Sequence, residues 1–133
     1  MYVAACLEHA VLGTLAPQPV DPDLGGDRPH SAFPRIGLGH TGNGERTADG
    51  EAREELVTLH VWSRSSDGAE ASALLDAIRN RLSGAALALG DGSIARPCLE
   101  FEQLRHEVEF SDRHGLLRFR VRIGRDAGEE QER

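Results

Sequence analysis

The chain has 133 residues, enough for one domain with a modest core that needs neither disulfides nor metal to fold. Apolar residues make up 39% and charged residues 28%, and no apolar run approaches the ~18 residues of a membrane helix, so coiled-coil, collagen, membrane-helix and wholly disordered classes are excluded. The formal charge is −7 and all 15 basic residues are Arg, which argues against a phosphate-backbone grip and removes lysine Schiff-base and P-loop chemistry.

The first segment has a helical stripe. Val3, Cys6, Leu7, Ala10, Val11 and Leu15 recur with the 3.6-residue period, and Pro17 and Pro19 end it. Residues 16–32 carry four prolines and two adjacent glycines and read as a long loop. Phe33 to Leu38 reads as a strand, and residues 39–53, rich in Gly and charge, as a flexible tip between two antiparallel strands. Leu56 to Trp62 is a strand with apolar groups on both faces, which places it centrally.

Ser66 or Asp67 can cap a second helix, whose buried stripe is Ala71, Leu74, Leu75, Ile78 and Leu82, with Gly84 at the C′ position. Leu87–Leu89 and Ser93–Arg96 flank a Gly90-Asp91-Gly92 turn, and Pro97 belongs at an edge or a bulge. Two alternating stretches follow. Leu104, His106, Val108 and Phe110 alternate with Arg105, Glu107 and Glu109; Leu117, Phe119, Val121 and Ile123 alternate with Arg118, Arg120 and Arg122. A loop at residues 112–115 would pair Glu109 with Arg118, Glu107 with Arg120 and His106 with Val121. A bulge near Glu102 to Gln103 would bring Leu99 and Phe101 into phase.

Residues 124–133 are almost wholly polar and read as a disordered acidic tail, so the folded domain is expected to span residues 1–123. The element order indicates an α+β domain: an antiparallel sheet with two helices packed on one face. Cys6 and Cys98 form no CxxC pair and are expected to be buried free thiols. The N-terminus lacks a basic n-region and a small-residue cleavage site, so synthesis in a cytoplasm is expected.

Chemical motifs are sparse. Gly37-Leu38-Gly39-His40-Thr41-Gly42 matches GxGxxG, but no apolar helical stripe follows to bind a pyrophosphate. The six histidines have no paired-ligand spacing on a helix. His60 and His106 lie on strands and could meet, which leaves a small metal-dependent or His-based enzyme as an alternative. Ser63, Ser65 and Ser66 sit in no nucleophile elbow. Arg118, Arg120 and Arg122 could face nucleic acid, yet glutamates on the neighbouring strand favour a cross-strand ion-pair face that sets register or meets a second subunit. No catalytic residue, metal site or cofactor is expected.

Thr58-Leu59-His60-Val61-Trp62-Ser63-Arg64, followed directly by a helix with Leu75, Ile78 and Leu82, resembles the tail completion (tail terminator) family of long-tailed bacteriophages and gene transfer agents. Phe33-Pro34-Arg35-Ile36-Gly37-Leu38-Gly39 is similar to that family's first strand, and His114-Gly115-Leu116-Leu117-Arg118-Phe119-Arg120 to its closing strand. The resemblance covers roughly residues 1–123 and rests on the order and spacing of these segments. It implies a structural protein of the virion, a homohexameric ring at the head-proximal end of the tail tube. Such a ring halts tube polymerisation and joins the tail to the head connector, and DNA passes through its lumen without specific binding. A head-closure protein is the alternative of the same class. Heterologous ring contacts would fall on Glu107, Glu109, Arg118, Arg120 and Arg122, and contacts with tube or connector on the loops, including Asn43, Glu45, Arg46 and Asp49.

Overall fold

The structure is a computed structural model that describes residues 2–15, 20, 29, 33–46, 53–64, 68–90, 92–107 and 112–125. The described elements are helix α1 (Tyr2–Leu15), strands β1 (Arg35–Arg46) and β2 (Arg53–Ser63), helix α2 (Ala69–Leu82), and strands β3 (Leu87–Ala88), β4 (Ser93–Glu107) and β5 (Asp112–Arg125). The five strands form one antiparallel sheet in the order β1-β2-β5-β4-β3. Fold class is therefore α+β, as the alternation of helical and extended patterns implies. No described helix is long and apolar enough to cross a membrane.

The pleat divides each strand between two faces. On the inner face Val57, Leu59 and Val61 of β2 lie opposite Phe119, Leu117 and Gly115 of β5, and Ile36 and Leu38 of β1 complete the row. Leu7, Val11 and Leu15 of α1 and Ala71, Leu75, Ile78 and Leu82 of α2 close over it, all nearly inaccessible to water. Both helical stripes are thus the ones the 3.6-residue period selects. Burying such side chains stabilises by about 1.5–3 kcal/mol each, against the conformational entropy lost. Gly68 precedes α2 at φ +77°, and its carbonyl accepts from the Ser72 amide at 3.0 Å. Residues 65–67, where a side-chain cap is expected, lie outside the described residues. Gly84, at φ +79°, follows the C-terminal end as expected. Gly90 and Gly92 also take positive φ, in the β3–β4 turn.

Five expectations need correction. Residues 39–46 are strand, because β1 continues against β2 as far as the Arg46–Arg53 pair; only 47–52 separate the two strands, outside the described residues. The GxGxxG stretch consequently runs inside β1, where its amides follow the strand rather than a helix N-terminus.

The β4–β5 register differs as well. Glu107 lies opposite Asp112 and His106 opposite Arg113, eight positions short of Val121. An even displacement preserves which side chains face inward, so alternation forbids only odd slips. The register is set elsewhere, by the eleven-residue ladder that β5 makes with β2 from Ser63–Arg113 to Arg53–Ile123. The irregularity lies between Leu99 and Phe101, at Glu100, rather than at Glu102–Gln103. Pro97 lies opposite Val121 on β5, beyond the two residues of β4 that β3 pairs with, where no other described strand pairs with β4.

Both cysteines are free, but Cys98 is exposed and Cys6 only half-buried. β5 extends through Gly124 and Arg125; residues 126–133 lie outside the described residues, as does most of 16–32.

Candidate interaction surface

The helices cover one face of the sheet and leave the other lined by β2, β5 and β4. Along it the cross-strand rows are Trp62–His114–Arg105, His60–Leu116–Gln103, Thr58–Arg118–Phe101, Leu56–Arg120–Cys98 and Glu54–Arg122–Arg96. This outer face has two parts of different chemistry.

At one end the rings stack. The His114 imidazole lies 3.8 Å from the Trp62 ring, at 8° between planes, and 5.1 Å from His60. His114 Nε2 and His60 Nδ1 are 2.9 Å apart, and Arg105 Nη2 is 3.2 Å from His114 Nδ1. Because a guanidinium only donates, Nδ1 of His114 accepts, which assigns its Nε2–H as the donor to His60 Nδ1. Burial, aided by the Arg105 charge, holds the His60 pKa below its ordinary value. Trp62 is buried, and its indole N–H has no hydrogen-bond partner among the described residues. Beside this stack Arg64 places its guanidinium 4.0 Å from the Phe33 ring centre and 3.6 Å from the fully buried Asp112 carboxylate.

The middle of the face is an ion lattice. Glu100, the residue at the bulge, reaches both Arg118 and Arg120, and Arg120 also donates to Glu54 at 2.9 Å. The bulge re-aims a strand carboxylate at two arginines of the neighbouring strand. The hydrogen bond from Arg120 pulls the Glu100 carboxyl below its ordinary pKa, and that bond to Glu100 raises the Arg120 value. Phe101 lies under Arg118, 5.3 Å from guanidinium carbon to ring centre, and stays 40% exposed.

The expected site residues are thus scattered. Arg118 and Arg120 are paired with Glu100 and Glu54. Glu107 ends β4 opposite Asp112, and Glu109 lies outside the described residues. Arg122 is exposed on the outer face. Asn43 stands opposite Glu55 and Arg46 opposite Arg53, with Glu45 in the irregular stretch between them; Asp49 lies outside the described residues.

His60 and His106 do not meet. They stand in rows on opposite faces, and His60 meets His114 instead. His114, Arg105, Trp62, Glu54 and Glu100 are the members that local alternation missed, the first because residues 112–115 read as a turn. No group of three or more His, Cys, Asp or Glu able to hold a metal occurs among the described residues.

The fold and this face define a class: a small α+β module whose second sheet face is organised by paired charges and stacked rings. The family model of the tail completion protein gp17 matches residues 3–124, and the chain belongs to that family of phage tail structural proteins. Among solved structures, a chain of "Virion of native gene transfer agent (GTA) particle" shares the fold with a TM-score of 0.62 and 18% identity, the match covering 92% of this chain and 91% of that one. No curated protein matches the chain.

Proposed function

We propose that this protein is a tail terminator, a ring of identical copies seated on the head-proximal end of a phage-like tail tube, where it stops tube growth and joins tail to head. The family match across residues 3–124, nearly the whole folded chain, carries this reading. Two features of the chain support it. The sheet offers dissimilar surfaces, the β1 edge and the β4 edge beyond β3, as a heterologous closed ring requires. A ring of six copies, each at −7, would carry a formal charge of about −42, and such a wall repels DNA in transit. The ring acts by shape and multiplicity, and no step of bond-making is assigned to it.

The test is assembly of tail tubes in the presence and absence of the purified protein. A terminator caps one end and narrows the length distribution, and cross-links to the tube protein. Cross-links confined to portal or adaptor, with tubes growing unchecked, would identify a head-closure protein instead.

A further inference from the structure

The arginines of this chain are distributed unevenly between internal and external work. Arg53, Arg64, Arg79, Arg118 and Arg120 hold carboxylates of the chain itself. Arg81 donates to the Thr14 carbonyl, and Arg35, Arg105 and Arg113 have partners as well. Among the arginines whose side chains are described, that leaves Arg96 and Arg122. Both are exposed, and they stand directly opposite each other on β4 and β5, on the outer face.

Like charges directly opposite on antiparallel strands destabilise the ladder. A neutralising acid is at hand in sequence but is used elsewhere: Glu54 lies opposite Arg122 and gives its carboxylate to Arg120, while Glu100 serves Arg118 and Arg120. Glu54 and Glu100 therefore hold Arg118 and Arg120, and no carboxylate among the described residues is given to Arg96 or Arg122, in a chain of net charge −7.

We propose that Arg96 and Arg122 form a seat for carboxylates of a second copy of this chain. The inference rests on the ring reading above and names the residues of one ring contact. Copies that each carry −7 repel, so a stable contact needs a cationic patch on one against an acidic patch on the next, and a heterologous interface brings unlike patches together. Two adjacent guanidinium forks suit carboxylates, which they hold by paired N–H donation. A run of nucleic-acid phosphates fits less well, because Glu54 and Glu100 stand next to the seat. Cys98 lies on the same face, opposite Arg120 and one pleat period from Arg96, and its exposed thiol reports on whether the seat is covered.

The experiment compares wild type with Arg96→Glu/Arg122→Glu by sedimentation, with NaCl raised from ~0.1 M, where charges are screened over ~10 Å, to ~1 M, where the length is ~3 Å. Maleimide labelling of Cys98 runs in parallel, and circular dichroism checks that the double variant is folded. Wild type is expected to form rings that dissociate as salt rises, with Cys98 protected; the double variant is expected to lose the ring species and label freely. Rings of undiminished stability in the folded double variant, or Cys98 equally reactive in wild-type rings, would overturn the seat while leaving the ring reading intact. A wild type that stays monomeric at every salt concentration would overturn both. A double variant that forms rings yet no longer caps tubes would assign the seat to another virion protein and overturn the second-copy assignment.

Discussion

Gly115 of β5 packs against Leu75 of α2, opposite Val61 of β2 and Leu104 of β4. A Cβ added there would lie 2.9 Å from both Leu75 Cδ atoms and 3.1 Å from Cγ. Its φ is not positive, unlike those of Gly68, Gly84, Gly90 and Gly92, so alanine fits the backbone and the penalty is steric alone. Leu75 is 2% exposed and cannot swing into solvent. Overpacking of this kind costs about 1–3 kcal/mol. For a chain of this size each kcal/mol lowers Tm by roughly 3–5 °C, so Gly115→Ala is expected to melt about 3–15 °C early. Leu75→Ala alone leaves a cavity and costs about 2–5 kcal/mol. In the double variant the new methyl enters space that the leucine vacated, and the combined loss falls short of the sum by about 0.5–3 kcal/mol. Denaturant titration followed by the fluorescence of Trp62, the single tryptophan, measures all four proteins. Strict additivity, or a Gly115→Ala protein within about 0.5 kcal/mol of wild type, would show that β5 does not press on α2 as described.

Other outcomes follow from the outer face and the strand ladders. The folded state holds His60 neutral with a lowered pKa, while the unfolded chain takes up a proton near about pH 6.5; stability is therefore full above that pH and falls as the solution is acidified below it. Thermal melts from about pH 7 to about pH 5 should show a larger loss for wild type than for His60→Gln, and parallel losses would deny the His60–His114–Arg105 relay. Asp112→Ala removes the buried partner of Arg64, and chemical denaturation should report about 1–3 kcal/mol of destabilisation. Replacing residues 47–52 with a short Gly-rich turn leaves the Arg46–Arg53 pair in place, so circular dichroism and Tm should be retained while tail joining, scored by particle yield, declines. Full particle yield from that variant would exclude the segment from the contacts proposed for it.

Patterns that act over one turn or one strand were legible in the sequence. The stripes Leu7–Val11–Leu15 and Ala71–Leu75–Ile78–Leu82 record burial directly, because only one face of each helix meets the sheet. Apolar groups on both sides of Leu56 to Trp62 marked a strand flanked on both edges, and β2 lies between β1 and β5. The glycine-rich half of β1 was not legible: residues 39–46 have almost no apolar side chains, and their pairing with β2 holds them extended. The β4–β5 register failed for a different reason. Period-2 alternation is blind to even displacements, and the choice among them is made by the β2 ladder, a contact distant in sequence. That error moved His114 from strand to turn and so concealed the Trp62–His114–His60 stack. The charged face was foreseen as a face of pairs, but with the wrong acids. Glu54 is supplied by β2, and Glu100 gains its reach from a bulge that no local pattern located.

Multiplicity is what the proposed role depends on, and the mass of the purified chain in solution, taken together with its effect on growing tubes, measures it. The expected result is a ring of six 14.4 kDa copies, about 86 kDa, that caps tubes at one end and fixes their length. A monomer that leaves tube length unchanged at every concentration would contradict it.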